Sequence, residues 1–270
     1  MKIWVLGSGS RGNAVVVESG GSRLMIDVGF GPRVLRKRLA AAGMEPESIE
    51  ACVITHEHSD HIRGAARAAW RWQWPLFVTN GTYVNSRLAM LGTPAAMVRP
   101  GTTISFTHMD VTTFRTPHDA EEPIGVVVTD RETGTRAAVC TDIGHASYVV
   151  RKMVRDVDIL VLESNHDDVM LANGPYPISV QRRIASRVGH LSNRECAQLV
   201  RDSVSPRLRQ VVLAHVSESN NTPSLAFETV RRALRTTRYR GELTPALQDG
   251  VVGPFMVSTP KHAVQLSLGI

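Results

Sequence analysis

Cysteine is scarce in this 270-residue chain, and the three present, Cys52, Cys140 and Cys196, are odd in number and share no paired spacing. That excludes a disulfide framework and a cysteine-built structural zinc site. Each lies in an apolar strand or helix pattern, so reduced, buried thiols in a cytoplasmic protein are expected; Cys140, two residues from Asp142, reads as core. Long apolar runs are missing too. None approaches the ~18 residues of a membrane span, so no membrane partner is expected. Only Ile3-Trp4-Val5-Leu6 precedes the first glycine and serine, short of the ~7–15-residue core of a signal peptide. The loop Gly7-Ser8-Gly9-Ser10-Arg11-Gly12-Asn13 has no Gly-Lys-Ser/Thr ending, which argues against a nucleotide-binding loop. Lysine stands only at positions 2, 37, 152 and 261.

Arginine takes its place, unevenly. Residues 1–180 carry 18 Lys+Arg against 19 Asp+Glu, a balance of −1, and residues 181–270 carry 13 against 6, a balance of +7, which together give the net +6. A basic final third suits a polyanionic partner, although arginines on solvated helix faces would give the same count. With 43% hydrophobic residues the chain can bury a full core. Strand patterns are read at 2–6, 14–18, 23–27, 51–55, 76–79, 103–106, 111–114, 124–129, 136–141, 158–163, 210–214, 254–258 and 263–268, with a hairpin turn at 130–135. Helical periodicity is read at 32–42, 62–72, 82–91, 146–155, 193–204 and 223–236, the last opened by Thr222 and Pro223. The elements interleave without a low-complexity linker, so residues 1–270 are expected to form one α/β domain.

His56-Glu57-His58-Ser59-Asp60-His61 puts four metal-competent side chains directly after the apolar run Ala51-Cys52-Val53-Ile54. Residues two apart on an extended chain point the same way, so His56 and His58 can close on one cation while Asp60 and His61 face a second. Imidazole with carboxylate suits zinc, manganese or iron.

His-x-His-x-Asp-His resembles the hallmark of the metallo-β-lactamase fold superfamily, and four further segments resemble its other motifs in the same order. They are Leu24-Met25-Ile26-Asp27-Val28-Gly29, Thr116-Pro117-His118-Asp119, Cys140-Thr141-Asp142-Ile143-Gly144 and Val212-Leu213-Ala214-His215-Val216-Ser217. Together with the Gly7–Asn13 loop, the segments Glu163-Ser164-Asn165-His166-Asp167, Gly174-Pro175-Tyr176-Pro177, Gly189-His190-Leu191-Ser192-Asn193 and Asn220-Asn221-Thr222-Pro223 resemble the bacterial YycJ/WalJ group. The resemblance implies a four-layer αββα sandwich and a DNA exonuclease of the 5′ to 3′ type. Asp142 and His215 are 73 positions apart, a stretch already filled by predicted elements. That leaves no room for the inserted β-CASP domain of RNase J-type relatives.

Carried over residue by residue, the resemblance implies two divalent cations, Zn2+ or Mn2+, with iron also possible. His56, His58 and His118 would hold the first, Asp60, His61 and His215 the second, with Asp142 bridging both and Asp60 orienting a hydroxide held between them. Asp27 would fix the tautomer of ligand imidazoles. Ser192 and Glu195 have capping-box spacing, which places His190 beside a helix start where phosphate binds readily. His190 is therefore a candidate catalytic residue, binding the scissile phosphate or protonating the leaving 3′-oxygen. Asn13, Ser192, Asn193, Ser217, Asn220 and Asn221 are candidate substrate contacts. His166 has a weaker pattern, and His108, His145 and His262 have none. Trp70-Arg71-Trp72-Gln73-Trp74 interleaves aromatics with a base, as single-strand binders sometimes do, but Trp70 and Trp74 are expected to pack at a helix end. The competing reading on the same fold is a small-molecule hydrolase acting on a thioester, a lactone or a cyclic phosphodiester. Oligomeric state is open.

Overall fold

In the computed structural model, residues 1–257 are described; the strand expected at 263–268 lies outside them. Hydrophobic alternation builds two sheets. The first contains β1 (Lys2–Gly7), β2 (Ala14–Ser19), β3 (Ser22–Ile26), β4 (Ala51–Val53), β5 (Leu76–Thr79) and β6 (Ala96–Val98). The second contains β7 (Thr103–Ser105), β8 (Met109–Arg115), β9 (Ile124–Asp130), β10 (Arg136–Cys140), β11 (Ile159–Glu163), β12 (Gln210–Ala214) and β13 (Glu242–Pro245). A last strand, β14 (Val252–Met256), returns to pair antiparallel with β1. Both sheets run as an antiparallel meander that turns parallel, at β3–β4 in the first and at β10–β11 in the second.

Period-two alternation then sorts the side chains into layers. Ile3, Val5, Val15, Val17 and Leu24 face Val111, Val126, Val128, Val139 and Val161 between the sheets. Trp4, Leu6, Val16, Met25 and Cys52 turn outward onto Leu35 and Leu39 of helix Pro32–Ala41 and Ala68 of helix Ala65–Trp72. On the other side, Val127, Ala138, Cys140, Leu160 and Leu213 meet Cys196, Leu199 and Val200 of helix Asn193–Asp202 and Ala226 and Val230 of helix Pro223–Leu234. The result is the four-layer αββα sandwich. All three cysteines are free and buried, and no helix among the described residues is long and apolar enough to cross a membrane.

Several expectations need correction. The helix read at 62–72 starts only at Ala65, because Gly64 donates its N–H to Val28 O and an added Cβ there would overlap Phe30 O. The pattern at 82–91 is two short helices, Asn80–Val84 and Arg87–Met90, parted where Ser86 caps the second through Leu88 N. Strands β6 and β13 and the helices Ser59–Ile62, Asp168–Ala172 and Ile178–Ile184 escaped notice; the first is a single helical turn that carries Asp60 and His61. The last buries none of its residues, so it carries no apolar period to read. Trp74 packs inside, donating Nε1–H to Pro46 O at 2.9 Å. Trp70 does not; it is 81% exposed.

Candidate metal centre

The parallel strands of both sheets end at one edge of the sandwich, and the expected ligands collect there. Asp27 follows β3, His56 follows β4, Asp142 follows β10, Glu163 closes β11 and His215 follows β12. Asp27, Asp142 and His215 have φ of 61°, 57° and 52°. Left-handed backbone is costly for residues with a Cβ, and here it marks three sharp exits from strands where polar side chains converge. The ligand-bearing turn is clasped from beneath. Val28 donates its N–H to His61 O at 2.7 Å, Asn13 donates its N–H to Asp60 O at 2.8 Å, and Gly29 lies so close to Asp60 O that a Cβ has no space.

Four sets of ligand atoms lie within 4.8 Å of one another: His56 with His58 and His118; Asp60 with His61 and His215; His56 with His61 and Asp142; and Asp142 with Glu163, His190 and His215. The hydrogen bonds on the outer ring nitrogens decide what the inner ones can do. His61 directs Nδ1 to Asp27 Oδ2 at 2.7 Å, His118 directs Nδ1 to Gly189 O at 3.0 Å, and His215 directs Nδ1 to Glu163 Oε1 at 3.2 Å. A neutral imidazole that donates from Nδ1 presents a lone pair at Nε2. Those Nε2 atoms point at other acceptors: His61 at Asp142 Oδ2 (3.1 Å), His215 at Asp60 Oδ2 (3.2 Å) and His118 at His58 Nδ1 (3.1 Å). Asp142 Oδ2 and His56 Nε2 are buried and make no hydrogen bond. Acceptors this close and this dry need a cation between them, either a proton or a metal ion. The donor set, imidazole and carboxylate without thiolate, fits a divalent metal of the zinc or manganese kind.

Electrostatics agree with that demand. Burial pushes His61 down, but Asp142, Asp27 and Asp60 outweigh it and hold the imidazole well above its ordinary value. His215, also opposed by burial, is pushed up to about 10 by Asp142, Asp60 and Glu163. Burial would raise Asp142, yet His215 and His61 hold its carboxyl well below the usual range. His56 moves the other way, pushed down by burial and by the neighbouring His61.

Glu163 was missed as a site residue. Fully buried, it accepts from the backbone N–H of Ile143 (2.9 Å) and Leu191 (3.1 Å), and it faces Nδ1 of His190 at 2.7 Å and of His215 at 3.2 Å. The signal was present: an acid closes the apolar run Ile159-Leu160-Val161-Leu162, as Asp27 follows Ile26. His190 stacks on His215 at 5.3 Å between ring centroids, its Nδ1 committed to Glu163. A cleft of about 180 Å³ opens over this edge, with His58, Asp60, Asp142, His190 and His215 on its floor and Val180 and Arg183 on its wall. Arg183 is ion-paired with Asp119.

The six candidate substrate contacts are not on the surface of the cleft. Asn13, Ser192, Asn193, Ser217, Asn220 and Asn221 are all buried, and none lines the cleft. Asn13 accepts from Ser8 Oγ and Gly9 N–H and donates to Asp60 Oδ2 at 3.2 Å, so it ties the Gly7–Asn13 loop to a candidate ligand. Asn193 and Asn221 bond each other and Ser164, and Ser217 accepts from Asn220 N–H. Ser192 and Glu195 do form the expected capping box. Asn13, Asn193 and Asn221 thus brace the loops that carry the site, while both polar side-chain atoms of Asn220 are buried without a hydrogen bond. His166 is likewise buried, with Nδ1 unpartnered.

Residues 22–216 match the family described as Beta-lactamase superfamily domain. The chain is 31% identical over 234 residues to exodeoxyribonuclease YycJ of Bacillus anthracis, covering 85% of this chain and 88% of that protein. It is 30% identical over 234 residues to exodeoxyribonuclease WalJ of Streptococcus pneumoniae, covering 85% and 86%. Among solved structures, the metallo-β-lactamase fold protein YhfI of Bacillus subtilis superposes with a TM-score of 0.70 at 16% identity, over 93% of this chain and 98% of that one. The short form of human tRNase Z does so with a TM-score of 0.64 at 17% identity, over 95% and 100%.

Proposed function

Because this chain belongs to the beta-lactamase superfamily and is a metal-dependent hydrolase, we propose that it is a dinuclear phosphodiesterase that hydrolyses nucleic acid, acting on DNA as a 5′ to 3′ exonuclease. The observation that carries the reading is the buried ring of lone pairs, in which Nε2 of His61, His118 and His215 each confronts another acceptor. The exodeoxyribonuclease names of the two bacterial relatives, which align along most of the chain, support the substrate class.

In this reading His56, His58 and His118 would hold one divalent ion and Asp60, His61 and His215 the other, with Asp142 placed to serve both sets. Ions bound there would supply a water acidic enough to ionise near neutral pH and would offset charge on a phosphoryl oxygen. Asp27 keeps His61 donating from Nδ1, so that Nε2 stays a ligand. Glu163 does the same for His215 and also anchors His190. Asp60, on the cleft floor, accepts a hydrogen bond from the attacking water and aims it. With Nδ1 fixed on Glu163, His190 has Nε2 free to bind the scissile phosphate or to protonate the leaving 3′-oxygen. Arg183 adds a cation to the wall above.

The test is digestion of 5′- and 3′-labelled duplex DNA, single-stranded DNA and RNA with protein loaded with Mn2+ or Zn2+. The expected outcome is stepwise shortening of DNA from the 5′ end. Rapid turnover of a lactone or thioester with all nucleic acids left intact would overturn the reading.

A further inference from the structure

The exposed Trp70 takes no part in the chemistry above. Helix Ala65–Trp72 buries Ala65, Ala68, Ala69 and Trp72, and the spacing i, i+3, i+4 brings Arg67, Trp70 and Arg71 together on its open side. Trp70 borders a groove of about 690 Å³ whose lining includes Trp74, Pro75 and Leu91, with Arg67 and Arg87 beside them. Arg67 and Arg71 also border a second depression of about 430 Å³, next to Arg33. No Asp or Glu lines either one. Arg33, Arg67, Arg71 and Arg87 are exposed, and their side chains have no ion pair or hydrogen bond among the described residues. Elsewhere on the surface some arginines find carboxylates, as in Arg11 with Glu218, Arg151 with Asp202 and Arg207 with Asp158, and others, such as Arg115, Arg182 and Arg232, do not; what sets this face apart is that its four border apolar depressions beside an exposed indole.

An apolar groove beside an aromatic face and four unneutralised guanidiniums is complementary to one chemistry in particular. Single-stranded nucleic acid offers bases to stack and phosphates to pair, and such binding tolerates any sequence. A second copy of this chain, net +6, offers these guanidiniums a poorer counter-charge than a phosphate backbone does. The helix also begins just beyond the turn that carries His58, Asp60 and His61, to which it is tied by Gly64 N–H to Val28 O and Val28 N–H to His61 O. Trp70 lies five residues along it from Ala65, ~7–8 Å at helical rise.

We propose that this face is a second nucleic-acid site, which rests on the nuclease reading: Trp70 stacks a base of a single-stranded stretch while Arg33, Arg67, Arg71 and Arg87 track its phosphates. Both depressions are then one track outside the metal site. The test compares metal-loaded wild type, Trp70→Ala, Trp70→Phe and Arg67→Ala/Arg71→Ala. Binding is read by anisotropy of a labelled single-stranded oligonucleotide with phosphorothioate linkages, and turnover by bis(p-nitrophenyl) phosphate. Trp70→Ala should bind roughly 5- to 150-fold more weakly, and Trp70→Phe should recover most of that loss. The double arginine variant should flatten the dependence of log K on log salt by about 1.4. All variants should turn over the small diester, and melt, as wild type does. Wild-type oligonucleotide binding by Trp70→Ala, or a change only in oligomeric state, overturns the site while leaving the nuclease reading intact. A wild type that turns over the small diester yet neither binds nor cuts nucleic acid overturns both.

Discussion

Glu163 serves two imidazoles at once, and that sharing makes the site's roles separable. His190→Ala removes a side chain that has no predicted place among the metal ligands, so it should keep both ions and lose turnover by ~10²–10⁴-fold, the scale of a general acid. Glu163→Gln keeps the volume but loses the acceptor that holds Nδ1 of both His190 and His215. It should therefore lose metal affinity by ~10–100-fold as well as turnover. Metal content by elemental analysis beside single-turnover rates separates the two. Equal metal loss in both variants would make His190 a ligand instead. Protonation gives a second handle. His61 and His215 are both raised, His215 to about 10, so the metal-free protein carries His215 as imidazolium at pH 7, and loading it should release protons. Calorimetry in buffers of different ionisation enthalpy measures their number. The sign follows from the shift: stabilisation of the metal-free fold by these charges is full below ~6.5, and the His215 share is lost as pH rises through about 10. Buffer-independent heats would contradict the assignment.

Among the elements, the loop after β3 has a larger role than its length suggests. Asp27, Val28 and Gly29 each contact the turn that carries Asp60 and His61, by side chain, by N–H and by sheer closeness. Gly29→Ala cannot be accommodated without moving Asp60 O, because the obstacle is backbone and not a flexible side-chain tip. The expected outcome is a stability loss of ~1–3 kcal/mol together with weaker metal binding, read by thermal melts with and without chelator. A melt unchanged in both conditions would show that the turn is set by other contacts. The capping box on helix Asn193–Asp202 behaves differently. Ser192→Ala should cost ~0.5–2 kcal/mol of stability and less activity than His190→Ala, since it removes a cap but no proton donor.

For the whole molecule, the three apolar layers run through both sheets and are built from residues other than the candidate ligands. Removing metal should thus leave the sandwich folded, with far-ultraviolet circular dichroism unchanged. Stability should fall by RT ln(1 + [L]/Kd), about 2.7 kcal/mol at a hundredfold excess of free metal over Kd, and the melting temperature should fall with it. Unfolding on chelation would mean that the ions hold the core. The sequence by itself determined the sheets, because inward and outward positions alternate visibly along β1–β3 and β8–β12. It also marked the ligand candidates, because His56, His58, Asp60, His61, His118, Asp142 and His215 stand just beyond strand patterns. Only the tertiary structure decided which polar residues face the cleft. Asn13 and Asn221 look like surface loop residues in one dimension, yet the backbone turns at the strand ends need buried partners, and these two side chains supply them. Helix Ile178–Ile184 has no apolar stripe, so its place on the cleft wall comes from the loops at its two ends. Trp70 and Trp74 share one short aromatic stretch, but helix Ala65–Trp72 ends between them, and that geometry buries one and leaves the other in solvent.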